Sequence, residues 1–158
     1  MTLTLAALTA AGAFGQTTST TTTRSFSFPP VGLGSSETAQ VSVLNSATAS
    51  ASGAAASCTG SISFVNASGA AIGTATSFTV TSGQSFSVSL PFTKVGATGL
   101  RSEIVGVVSL TTTSTSNVPC DLAASLETYD TSTGATHLHL DQNAGYEGQG
   151  QGPGPGRN

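Results

Sequence analysis

The sequence has no tryptophan, two cysteines, and only four Lys or Arg and seven Asp or Glu among 158 residues. Charged residues make up 7% of the chain, against about 25% in ordinary soluble domains. The basic residues Arg24, Lys94, Arg101 and Arg157 are scattered, so no cluster is available to neutralise phosphates, and nucleic acid is excluded as a partner. The longest apolar stretch, Leu3 to Phe14, spans about a dozen residues, short of the roughly 20 that a membrane-spanning helix needs. Two cysteines are too few for the usual thiolate metal site. Without tryptophan, and with Tyr129 and Tyr146 as the only tyrosines, the chain is poorly supplied with the aromatic platforms on which carbohydrate recognition usually leans.

Serine, threonine, alanine and glycine fill the places that charge leaves empty, so hydroxyl groups solvate the surface. The net charge is only -3. Together with many Val, Ile and Thr, this points away from disorder and toward strands. Length permits one domain with its own core.

Residues 1–15 are apolar and uncharged and end with Ala13 and Gly15 placed like the -3 and -1 positions of an export cleavage site. They read as a signal peptide cut before Gln16, although the usual basic start is missing; the competing reading is a buried first strand or helix. Residues 16–24 form a Thr/Ser-rich arm. The pair Cys58 and Cys120 fits an exported chain closed by one disulfide. Secretion or display at the cell surface is therefore the expected localisation.

Alternation locates the strands. Ser25-Phe26-Ser27-Phe28 alternates strictly and stops at Pro29-Pro30, as an edge strand should. Val41 and Val43 mark a strand over 38–45, and Cys58, Ile62 and Phe64 mark another over 58–65. Ser82-Gly83-Gln84 separates Phe78/Val80 from Phe86/Val88/Leu90 in the manner of a hairpin, and Gly32-Leu33-Gly34 reads as a turn. Residues 101–110 are apolar on both faces, which predicts a central strand, followed by a polar loop over 111–117.

In the last hairpin, Cys120, Leu122, Ala124 and Leu126 share a face and Asp130-Thr131-Ser132-Thr133-Gly134 turns the chain. Pairing Tyr129 with Ala135 puts Leu126 opposite Leu138, Ala124 opposite Leu140, and Glu127 opposite His137 on the wet face. Residues 141–158, rich in Gly, Pro and Gln, read as a flexible tail. Residues 25–140 are thus expected to form an all-β, immunoglobulin-like antiparallel β-sandwich of about seven or eight strands with one disulfide.

The run L-A-A-S-L-E-T-Y-D-T-S-T-G-A-T from Leu122 to Thr136, with Arg101-Ser102-Glu103-Ile104-Val105 before it, resembles a group of uncharacterised short secreted proteins of environmental bacteria. That resemblance implies export and an immunoglobulin-like sandwich, and carries no activity with it.

Chemistry-bearing residues are sparse. His137 and His139 lie two apart on one strand and, with Glu127 or Asp141, are the candidate metal ligands; the competing reading is a solvated pair with Glu127 and His137 in an ordinary cross-strand contact. No Gly-x-Ser-x-Gly elbow accompanies the many serines, and no paired carboxylates sit in an evident aromatic cleft. Asn66-Ala67-Ser68 reads first as a turn and only formally as a glycosylation acceptor. Neither an enzyme nor a cofactor is expected.

Two roles remain. One is a structural or cell-surface protein that self-associates into an extracellular fibre, with the arm strand of Phe26 and Phe28 donated to a neighbour by β-strand addition. The other is a monomeric binding module for an extracellular protein or polysaccharide.

Overall fold

The computed structural model describes residues 21–48, 57–113 and 120–144. The leader 1–15, residues 16–20 of the arm and the tail beyond 144 lie outside the described residues. Nine strands run in the order β1 (Thr21–Ser27), β2 (Val31–Gly34), β3 (Glu37–Asn45), β4 (Ser57–Asn66), β5 (Ala71–Thr81), β6 (Ser85–Pro91), β7 (Arg101–Thr113), β8 (Leu122–Asp130) and β9 (Thr136–Ala144). They form two antiparallel sheets. The first has the order β1-β7-β4-β5, with β2 beside β1 on the same edge of β7; the second has the order β6-β3-β8-β9.

The core is the set of inward positions that alternation selects. Ile62 and Phe64 of β4 and Ile104 and Val108 of β7 face Val41 and Val43 of β3 and Leu122 and Leu126 of β8, all buried. Every second residue along these strands is withdrawn from water, as a two-layer sandwich requires. β7, apolar on both faces, lies inside its sheet between β1 and β4.

Cys58, on β4, and Cys120, just before β8, are joined by a disulfide with a 2.00 Å S–S bond and 5.3 Å between Cα atoms, tying one sheet to the other. Beside it, fully buried Asn45 donates from Nδ2 to the Val80 carbonyl at 3.1 Å, while its Oδ1 accepts from the Ala47 N–H at 3.1 Å. One end of the sandwich is therefore closed by a covalent bond and a satisfied polar pin.

Five local expectations change. β1 begins at Thr21 rather than Ser25, because Thr21 to Thr23 pair with Thr111 to Thr113, and β7 accordingly runs into the segment read as a loop. Threonine suits a pleated strand, and each run supplies the other's partner. Gly32-Leu33-Gly34 is strand, not turn: β2 pairs with Arg101 to Ile104, and Leu33 is completely buried. β9 continues to Ala144, beyond the expected start of the tail at 141.

The fourth change is that β5 and β6 do not pair; they belong to different sheets. Gly83, at φ 76°, donates its N–H to the Asn45 carbonyl, and the Asn45 N–H donates to the Gln84 carbonyl. The turn is thus zipped onto the end of β3 and carries the chain across to the second sheet. Phe78 and Phe86 stack over this crossing with centroids 6.1 Å apart.

The fifth is the register of the last hairpin. Leu126 faces Leu140, Glu127 faces His139 and Ala124 faces Gln142, while Tyr129 pairs with Thr136. A bulge at the Thr128/Tyr129 step leaves His137 as an extra residue on β9. The turn that sets this register is organised by Asp130. Its Oδ1 accepts from the backbone N–H and hydroxyl groups of Ser132 and Thr133. These bonds, led by the Ser132 hydroxyl, hold the Asp130 carboxyl well below its ordinary range.

Candidate functional site

The bulge decides what the histidines do. His137 turns to Glu37, at the start of β3, and its Nδ1 hydrogen-bonds Glu37 Oε1. His139 instead pairs with Asp141 on its own strand, Nε2 to Oδ1 at 2.9 Å. Glu127 accepts from Gln40 Nε2 at 3.1 Å. Of the four candidate ligands, His139 and Asp141 pair with each other while His137 and Glu127 go to other partners, and among the described residues no three His, Cys, Asp or Glu side chains converge on a common point.

Glu37 was not singled out by the sequence, yet it organises the end of the sandwich opposite the disulfide. Its Oε1 holds His137 of the second sheet and its Oε2 accepts the N–H of Gly34, the last residue of β2 in the first sheet. The hydrogen bond to His137, followed by that from Gly34, lowers the Glu37 pKa below its ordinary value of 4.5; Arg101 adds a weaker attraction. The Arg101 guanidinium lies over Gly32, where a Cβ would come within 2.1 Å of Arg101 Nε. A side chain at position 32 would displace the guanidinium from this place. Arg101 and Glu103, which share a strand face, form no ion pair among the described residues.

These groups line a shallow cleft of about 540 Å³ with Ser35, Ser36, Leu100, Thr128 and Leu138. Leu100 stands on its rim, 82% exposed. Carboxylate, imidazole and guanidinium together can engage a polar ligand. Among the described residues no serine hydroxyl hydrogen-bonds His137.

Titration of this end should be visible in stability. Glu37 ionises more readily in the fold than in the unfolded chain, so its contribution is complete above pH 4.5 and is lost as pH falls through the lowered folded value. Glu37→Gln is expected to cost about 1 kcal/mol near neutrality, with the gap to the unaltered protein closing as pH falls below 4.5 and through the lowered folded value. Urea denaturation at a series of pH values checks this; a gap that persists into acid would remove Glu37 from the acid response.

Phe26 and Phe28 pack into their own domain. Phe28 is 2% exposed, meets Phe26 edge-on with centroids 6.2 Å apart, and donates its N–H to the Gly106 carbonyl at 2.9 Å.

The two flanks of the sandwich differ in charge. On one, β1 and β2 of the first sheet lie beside β9 of the second, linked by Gln142 Nε2 to the Ser27 carbonyl at 3.3 Å, and carry Arg24, His137, His139 and Asp141. On the other, β5 and β6 hold no charged residue at all. No helix among the described residues is long and apolar enough to cross a membrane.

Fold and site together define an all-β protein of two antiparallel sheets clasped by one inter-sheet disulfide. No known family, curated protein or solved structure matches the chain.

Proposed function

We propose that this chain is an extracellular, non-catalytic structural or cell-surface protein that self-associates by adding strand to strand. The observation that carries this reading is the uncharged flank formed by β5 and β6. Sheet edges in soluble proteins are ordinarily guarded by charge, proline or bulges, because bare N–H and C=O groups template further pairing. An edge left without charge, in a chain so poor in charge overall, is suited to receive a partner. The disulfide and the leader-like residues 1–15 support export, and the clasp between two antiparallel sheets supports the immunoglobulin-like reading.

Light scattering and negative-stain imaging of the native protein test the reading together. Assemblies larger than one chain are expected; a monomer at every concentration would defeat it. In that event the cleft of Glu37, His137 and Arg101 favours the second reading, a binding module for a polar extracellular ligand, and Arg101→Ala should then abolish whatever binding a glycan or peptide screen detects.

A further inference from the structure

We propose that β6 is the edge at which two copies of this chain meet: β6 of one copy pairs antiparallel with β6 of a second across a twofold axis, joining two four-stranded sheets into one of eight strands. This inference rests on the self-association reading above and names its interface and partner.

Among the described strands, four edges have no further strand beside them: β1 with β2, β5, β6 and β9. Three carry a guard. β1 holds Arg24 and is followed by Pro29-Pro30, and β9 holds two histidines, Asp141 and a bulge. β5 is irregular where its register shifts opposite the Ile62/Phe64 step, with Gly73 there at φ 72°. β6 pairs with β3 without a shift from Ser85 to Pro91, contains no charge, and reaches its proline only at its last residue. Lys94 follows beyond the strand, in the short turn of Phe92–Lys94. Among the described edges β6 is the one with no device against pairing.

Its sequence also identifies the partner. Ser85-Phe86-Ser87-Val88-Ser89-Leu90 alternates without exception. Antiparallel strands that keep matching faces are related by an even register, and for a strictly alternating strand every even register sets serine opposite serine and apolar opposite apolar. Centred on Val88, for example, Val88 meets its own copy, Phe86 meets Leu90 and Ser87 meets Ser89. Serine pairs of this kind are already part of the protein's sheets: Ser42 Oγ lies 2.9 Å from Ser87 Oγ, and Ser25 Oγ lies 2.8 Å from Ser109 Oγ. A strand complementary to β6 must be uncharged and alternating, and β6 itself meets that description.

Burial points the same way. Phe86 and Val88 face the core but are only half-buried, whereas Leu90 on the same face is buried. The domain's own strands leave the outer side of these two residues wet, and a second β6 would cover them. Because a twofold pairing is isologous, it closes at two copies.

The test uses the full chain and three readings. Sedimentation should give doubled mass for the unaltered protein. Ser87→Lys, which puts two like charges near the axis, should weaken Kd at least about tenfold and sediment as a monomer, while Ser25→Lys on the β1 edge should leave the doubled mass intact. Hydrogen exchange on the unaltered protein, which needs no variant, should show amides of residues 85–90 protected when concentrated and faster on dilution. A folded Ser87→Lys that keeps doubled mass, or exchange in β6 that ignores concentration while assembly persists, would overturn the β6 assignment and leave self-association standing. A monomer in the unaltered protein at all concentrations would overturn both.

Discussion

Phe28→Ala is expected to destabilise the fold by about 3–5 kcal/mol, read as a lower denaturation midpoint at unchanged slope. Phe28 lies just past the end of β1, 2% exposed, and its ring sits against Gly106 of β7, where a Cβ on the glycine would come within 3.3 Å of Phe28 Cδ2. The same built Cβ would lie 2.7 Å from Val41 Cγ2 of the facing sheet. The aromatic ring and the bare backbone thus form one fitted layer in the middle of the sandwich. Truncating the ring leaves a cavity there that well-ordered sheets cannot collapse to fill. The variant also separates two uses of the arm. If Phe28 serves its own core, the loss falls on the single chain and is independent of concentration; a loss that appears only in assembled material would instead place the ring in a neighbouring copy.

Replacing both cysteines with serine is expected to cost about 4 kcal/mol, because opening a loop of 62 residues restores freedom to the unfolded chain. Cys58 is completely buried, so the new hydroxyl there needs a hydrogen-bond partner that a sulfur did not, which adds to the loss. Thermal unfolding of the variant, compared with the unaltered protein with and without reductant, checks the estimate. Reductant should bring the unaltered protein close to the variant and leave the variant unmoved. If the variant melted with the oxidised protein, the clasp would contribute nothing to stability.

Where one face of a strand is buried, the alternation of Val41/Val43, of Ile62/Phe64 and of Leu122/Ala124/Leu126 made the strands and their inward sides readable. Both faces of the run over 101–110 are apolar, which marks a central strand, and β7 does lie between two strands. What escaped the reading depends on contacts that a local pattern does not carry. Gly32-Leu33-Gly34 has turn composition, and only its pairing alongside Arg101 to Ile104 of β7, with Leu33 buried, makes it a strand. Ser82-Gly83-Gln84 signals a reversal, but which sheet the chain then joins is set by Asn45, far back in the sequence.

The candidate site was hidden by the same cause. Placing Tyr129 opposite Ala135 satisfied both faces of the last hairpin on paper, and so set His137 against Glu127. The bulge sends His137 to Glu37 instead, a partner a hundred residues away. A signal was present in principle, since Asp130-Thr131-Ser132-Thr133-Gly134 can fold back on its own aspartate and fix the loop length. Reading a bulge from it would have required knowing how many residues that loop closes over. Glu37 itself follows Gly34-Ser35-Ser36, which composition alone assigns to an unremarkable loop.

The disulfide has a mechanical consequence. Tension applied between Thr21 and Ala144 would be carried around the bond from Cys58 to Cys120 and would never reach the chain between them. The stretches outside that ring, residues 21–58 and 120–144, can pull out to roughly 200 Å at about 3.4 Å per residue. β4, β5, β6 and β7 all lie inside the ring, so the pairing of β4 with β5 and β7 would remain shielded from the pull, while β6 would lose β3, its neighbour in the second sheet. A subunit built in this way yields by a fixed length and then stops.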